Sequence, residues 1–408
     1  MKYRIVIRAF TLRRDIGISY ILAEILRKAG CEVYISCCRN YTNALVKWKP
    51  HAVIINTVGA VDTSKRLAPD AKIILWPGEG SEPIDRGDAY HFARLGNFKD
   101  IDLVLLWGKA NLDAFENRFG KNDCKLKVCG NPKFDLIKFS PSPVKRNTIG
   151  IIGRFGEINL YDKKPGIFIL MNTDHLDVFK MICDQFVTVI KLIDFIVKNT
   201  DFNVSIRPHP HEAPEGYSRI YDEFGDRVEV DSSYEFSPWA SRQKMLIGTA
   251  SSSFLEAYLL KIPVISIDRL SGADKTVEEK CKSNTMLYSM SINPSSFEEL
   301  CQLVKSEPKP ASDIKEIDDF LKYFSEWPHD GSAIKKAADT ILSLLRGSKF
   351  RFHMNYPIEY IDLIDWYYFW KSTLLGGTNH PNFNYKNGYH KMPPEYKTII
   401  QNVMSCRD

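Results

Sequence analysis

Polar clusters stand where strand-like runs end, and the first of them is GTASSSFLEA, residues 248–257. The apolar run KMLIG leads into three serines, and a helix-like run with one carboxylate follows. At a strand-to-helix turn, serine hydroxyls add donors to unpaired backbone N–H groups, and the peptide dipoles there favour negative charge. Ser251, Ser252 and Ser253 are therefore candidates to cradle a phosphate. Glu256, one turn beyond Ser252 and on the same face, is placed to accept both hydroxyls of a ribose. The plainer alternative is that Ser251 only caps the helix and Glu256 is a solvated helix residue.

The second cluster is SIRPHPHE, residues 205–212, at the end of the strand-like FNVSIRP. Pro208 and Pro210 fix φ and stiffen the chain, so Arg207, His209 and His211 project from a rigid frame. Arg207 and His209 suit a phosphate, and His209 can stabilise charge on a leaving phosphate. The third is LWPGEGSE, residues 75–82, where Gly78 and Gly80 permit a tight loop that presents Glu79 as a general base or acid; the alternative is a plain Gly-rich turn. The fourth, IIGRFGEINLYD at 151–162, offers Arg154, Glu157 and Asp162 for sugar or catalytic contacts. Arg13 and Arg14, read as a loop after the first strand, can meet an anionic acceptor or be solvated. There is no Walker lysine loop, no GxGxxG after the first strand and no HExxH, which argues against NTPase, dehydrogenase and metalloprotease readings.

These clusters need a scaffold that lines up strand ends. KYRIVIRAF, CEVYISC, HAVIINTV, AKIILWP, IDLVLLWG and KLKVCG are aliphatic strand patterns, several followed by amphipathic helix patterns, as in a parallel sheet covered on both faces. We read residues 1–137 as a Rossmann-like domain and 138–148, with FSPSPVKRN, as a linker. The rhythm restarts over 149–345, a second Rossmann-like domain. The fold class expected is α/β, two Rossmann-like domains facing a central cleft, with a C-terminal aromatic-rich helical segment over 346–408. That segment either packs back on the first domain or contacts a membrane surface.

At 408 residues the chain is long enough for two to three domains. A net charge of +5 is too mild for a protein that wraps nucleic acid, so no nucleic-acid partner is expected. Nine scattered cysteines without a CxxC pair point to reduced thiols and a cytoplasmic protein rather than to disulfides or zinc. MKYRIVIRAF lacks a signal-peptide pattern, and no apolar window is long enough to span a bilayer.

GNPKFD (130–135), RPHP (207–210) and TASSSFLEAYLLKIPVISID (249–268) together resemble the GT-B glycosyltransferases. More narrowly, they are similar to bacterial surface-carbohydrate biosynthesis proteins: Kdo transferases of capsule and lipopolysaccharide, GT-B sialyltransferases and CDP-glycerol glycerophosphotransferases. The likeness runs over roughly Ile73 to Asp268. It implies a phosphate contact at His209, a helix-terminal cradle at Ser252 and Ser253, ribose binding at Glu256, and an acid/base residue at Glu79. Glycerophosphotransferase relatives carry a histidine at that last place, which argues against glycerophosphate transfer.

The resemblance further implies a CMP-linked donor, Kdo or another nonulosonic acid, used without a metal or other cofactor. The acceptor would be a glycan or lipid-linked saccharide, with peripheral contact at the inner membrane face. Inversion would use Glu79 as base, whereas retention would use a second carboxylate such as Glu157 or Asp162. Competing readings are a UDP-sugar epimerase or UDP-sugar transferase of the same fold, and a non-catalytic relative that binds glycan or a partner.

Overall fold

The computed structural model of the chain describes residues 2–9, 12–36, 40–78, 98–120, 125–140, 147–159, 176–210, 212–231, 233–272, 287–350, 363, 367 and 394–406. It divides into two compact units, Met1–Pro141 with Asp318–Asp408, and Ser142–Ile317.

The first unit begins β1 (Arg4–Arg8), α1 (Leu12–Lys28), β2 (Glu32–Ser36), α2 (Tyr41–Trp48), β3 (Ala52–Ile55), α3 (Val61–Leu67), β4 (Lys72–Leu75), β5 (Leu103–Leu106), α4 (Lys109–Phe119), β6 (Leu126–Val128) and α5 (Pro132–Phe139). Its strands form one parallel sheet in the order β2-β1-β3-β4-β5-β6, with Val6 opposite Tyr34 on one side and Val53 on the other. AVII and LVLL are buried along their whole length, so both faces need covering by helices. Trp48, Phe115, Val53, Ile73 and Val104 share one core cluster. Because β1 lies between β2 and β3, the winding reverses there, and a crevice forms beyond the C-terminal ends of β1 and β3.

Arg13 and Arg14 lie in the first turn of α1, not in a loop as expected. The apolar stripe that marks this helix starts only at Ile16, but Asp15 in the first turn suits the N-terminal dipole, and the helix extends back to Leu12.

The second unit runs β7 (Thr148–Ile152), α6 (Leu176–Asn199), β8 (Asn203–Arg207), α7 (Ser218–Phe224), β9 (Val228–Val230), α8 (Phe236–Ala240), β10 (Met245–Gly248), α9 (Ser253–Leu259), β11 (Val264–Ser266) and α10 (Phe297–Ser306). Its strands are also parallel, in the order β11-β10-β7-β8-β9. The reversal of winding falls between β7 and β10, so the expected ligand crevice is beyond their C-terminal ends. Helix α6 lays Ile182, Val189, Leu192, Ile193 and Ile196 on this sheet at helical spacing, against Ile149, Ile151, Val204 and Ile206.

The chain then returns to the first unit. Helix α11 (Lys315–Ser325) crosses the boundary, α12 (Ala333–Arg346) packs on α1 and α5, and α13 (Pro394–Ser405) packs on α1, α5 and α12. The expected end of the second domain at 345 is therefore too late: 318–345 belongs to the first unit, because the apolar face of α12 covers α1 and α5. The Phe350 ring also packs there, 4.9 Å from His51 and 5.9 Å from Tyr3. Among the described residues no helix is long and apolar enough to cross a membrane.

Candidate functional site

In the second unit three turns leave neighbouring strand ends, with β7 in the middle, β8 on one side and β10 on the other. After β7, Gly153 donates its N–H to the Arg207 carbonyl at 2.8 Å, which stitches the first two turns together. A Cβ at position 153 would lie 3.0 Å from Pro208 Cα, so only glycine allows this approach without movement. Arg154 follows and is exposed. Its Nη1 donates to the Ala250 carbonyl at 2.6 Å, which carries the guanidinium across to the serine turn after β10. Glu157 is half-buried in the turn beyond.

In the turn after β10 the Ser251 and Ser253 hydroxyls are 2.5 Å apart. Ser252 is exposed and occupies the N-cap of α9, yet its side chain makes no capping hydrogen bond. Asp268, 4% exposed at the end of β11, accepts the Ala250 N–H at 2.6 Å and the Ser266 hydroxyl at 2.7 Å, and Gln185 donates to it at 3.2 Å. Burial pushes the Asp268 carboxyl up, while the Ala250 and Ser266 donors and the charge of Arg154 pull it down. The serine turn is thus held from below by a buried carboxylate and from the side by Arg154.

The turn after β8 holds His209, which is half-buried. Arg207 is turned inward: at 7% exposure it ion-pairs with Asp231, donates to the Ser233 hydroxyl at 2.9 Å and to the Tyr234 carbonyl at 3.3 Å, and stacks over Trp239. In this structure its guanidinium therefore braces the end of β8 rather than facing outward. Glu256 is likewise 7% exposed, and its carboxylate accepts the Ser237 hydroxyl from α8. Glu79, Asp162 and His211 lie outside the described residues.

Glu212 carried no expectation of its own, although it closes SIRPHPHE. It is 0% exposed; Oε1 accepts the Phe155 N–H at 2.8 Å and the His209 N–H at 3.1 Å, and the Tyr217 hydroxyl donates to Oε2. Burial pushes this carboxyl up to about 7, against the opposing pull of those donors.

In the first unit a small pocket of about 50 Å³ opens at the β1/β3 reversal, lined by Arg8, Arg14, Asn56, Trp76, Trp107 and Lys133 among others. Asp15 also lines it, and takes Arg14 Nε at 3.3 Å and Asn56 Nδ2 at 2.9 Å. The indole nitrogens of Trp76 and Trp107 have no hydrogen-bond partner among the described residues. Arg13, in the same turn of α1, is 7% exposed and is not part of the lining.

No protein-family model matches the sequence, and no curated protein matches it. Solved structures do resemble it in fold. The wall teichoic acid polymerase TagF, as an H444N variant with CDPG, aligns over 85% of this chain and 88% of its own at 13% identity and a TM-score of 0.50. The Methanocaldococcus jannaschii UDP-GlcNAc 2-epimerase, in complex with UDP-GlcNAc and UDP, aligns over 85% of this chain and 100% of its own at 14% identity, with a TM-score of 0.48. A putative UDP-N-acetylglucosamine 2-epimerase from Listeria monocytogenes gives 87%, 100%, 11% and 0.48 for the same four quantities. At such identities the likeness is one of fold: two parallel-sheet α/β units of the GT-B kind.

Proposed function

We propose that the chain is a nucleotide-sugar-dependent glycosyltransferase of surface-carbohydrate assembly. The observation that carries this reading is the convergence at the β7/β10 reversal, where Arg154 reaches the residue before Ser251 and the His209 turn adjoins the Arg154 turn. A cation, an imidazole and a hydroxyl-rich turn over parallel strand ends form a site for a nucleotide phosphate. Ser251, Ser252, Ser253, Arg154 and His209 hold the phosphate in this reading, Glu256 serves the ribose, and Arg207 braces the β8 end.

The donor proposed is CMP-linked, with Kdo or another nonulosonic acid as the sugar. This rests on the resemblance of RPHP and TASSSFLEA to cytidine-nucleotide sites. Transfer breaks the bond from the anomeric carbon to the donor phosphate and joins that carbon to an acceptor hydroxyl oxygen. The acceptor proton passes to a carboxylate, with Glu79 as first candidate and Glu157 and Asp162 as alternatives. His209 and Arg154 meet the charge left on the phosphate. The pocket of the first unit, lined by Arg8, Arg14 and Lys133, suits an acidic group on a glycan or lipid-linked acceptor.

The test is the change in melting temperature on adding CMP, CDP, UMP, UDP or GDP, since binding to the folded state raises stability by mass action. The expected result is stabilisation by CMP that His209→Ala loses. A preference for UDP would favour a UDP-sugar transferase or epimerase. No response to any nucleotide would sink the nucleotide reading.

A further inference from the structure

Beneath the proposed phosphate site lies a buried carboxyl that phosphate binding itself does not use. Glu212 Oε1 accepts two backbone N–H groups that follow two different strands, Phe155 after β7 and His209 after β8. Phe155 comes directly after Arg154, whose guanidinium reaches the serine turn. One oxygen therefore sets the spacing between the turn that carries the cation and the turn that carries the imidazole. The surroundings leave little slack, because the Gly153 and Glu212 amides are themselves bonded to the Arg207 and His209 carbonyls, each at 2.8 Å. On the far side the Tyr217 hydroxyl holds Oε2, which fixes the rotation of the carboxylate.

We infer that Glu212 is a positioning residue for donor binding: by bridging the Phe155 and His209 amides through a single oxygen, it sets Arg154 and His209 at the separation that a nucleotide phosphate requires. The inference rests on the nucleotide reading above. It goes beyond that reading by assigning phosphate affinity to a side chain that cannot touch the ligand.

Three substitutions separate positioning from mere support. Glu212→Gln keeps a carbonyl oxygen for both amides and turns an NH₂ toward Tyr217, whose hydroxyl oxygen can accept. Glu212→Asp withdraws the oxygen by one methylene while retaining charge and solubility, and Glu212→Ala removes it. CMP, CDP, UMP, UDP and GDP are titrated calorimetrically into the full-length wild type and each variant, with the unliganded melting temperature and the exchange rates of the 155 and 209 amides recorded alongside.

The expected result is roughly tenfold or greater weakening of the nucleotide that the wild type prefers in Glu212→Asp and Glu212→Ala, with Glu212→Gln within about threefold of wild type. Exchange at 155 and 209 should rise in the first two variants only. If Glu212→Ala does not fold, Glu212→Asp and Glu212→Gln decide the matter. Wild-type affinity in Glu212→Asp, with only a lowered melting temperature, would overturn the inference and leave the nucleotide reading standing. A wild type that binds none of the five nucleotides would remove both.

Discussion

Glu212 and Asp268 are both buried and both held above the usual carboxylate range, so their protonation couples to folding. The native state binds a proton on Glu212 up to a pH of about 7, whereas the unfolded chain releases it near the ordinary value of 4.5. The sign follows from linkage: the contribution is fully present below about 4.5 and is lost as pH rises to about 7. Its upper bound is on the order of 3 kcal/mol. Glu212→Gln, neutral throughout, should lose this decline, so its melting temperature relative to wild type should climb between those pH values and then level off. Parallel pH profiles for the two proteins would contradict the assignment. At this scale the sequence was only partly legible. The serines, His209 and Arg154 could be picked out because they stand at strand ends. Arg207 could not be placed, because its partner Asp231 lies 24 residues away and only the fold brings the two together. Glu212 was hidden for a related reason: a glutamate beside two histidines reads as surface until its burial is known.

At the scale of elements, GNPKFD turns out to be a clasp between two helices. Gly130 takes φ +96°, Asn131 caps α5 by accepting the Lys133 N–H at 3.0 Å, and Pro132 sits at the first helical position. Asp135, 0% exposed, then accepts from Ala333 N–H at 3.1 Å, Ile334 N–H at 2.8 Å and the Ser332 hydroxyl at 2.6 Å, and lies 2.7 Å from His329 Nε2. It thereby occupies the N-terminus of α12 from nearly 200 residues upstream. Asp135→Ala leaves buried donors without their acceptor and should cost about 3–5 kcal/mol in urea unfolding. A loss below about 1 kcal/mol would show that water replaces the carboxylate. The alternation of strand and helix was readable from periodicity, since near-continuous aliphatic runs allow few alternatives. The helices that α12 covers were not readable: AIKKAADTILSLLR has a clear apolar face, but periodicity does not say that α1 and α5 lie against it.

At the scale of the whole chain, the first unit is assembled from both ends of the sequence, whereas the second is continuous. A protein truncated after Ile317 lacks α12 and α13, which uncovers apolar surface on α1 and α5. Such a truncation should bind a hydrophobic dye strongly and aggregate at concentrations the full chain tolerates. The fragment 142–317 should melt cooperatively without excess dye binding. Dye binding by the 1–317 protein at the full-length level would show that the returning helices are dispensable. The division into two α/β units was legible in the sequence because the strand rhythm stops at FSPSPVKRN and restarts. The discontinuity was legible only in part: a return of 346–408 to the first domain is one of the two readings of that segment, but 318–345 reads as part of the second domain, because nothing in an amphipathic helix names the unit it joins.

That return of the chain also sets a timetable for biosynthesis. When Phe139 leaves the ribosome, the helix that covers α1 and α5 is still unmade, and reaching Ala333 takes roughly ten to forty seconds at about 5–20 residues per second. The continuous half can fold during that interval. The six-stranded half must wait with an apolar flank uncovered, which makes it the part of the newborn chain that most needs a chaperone.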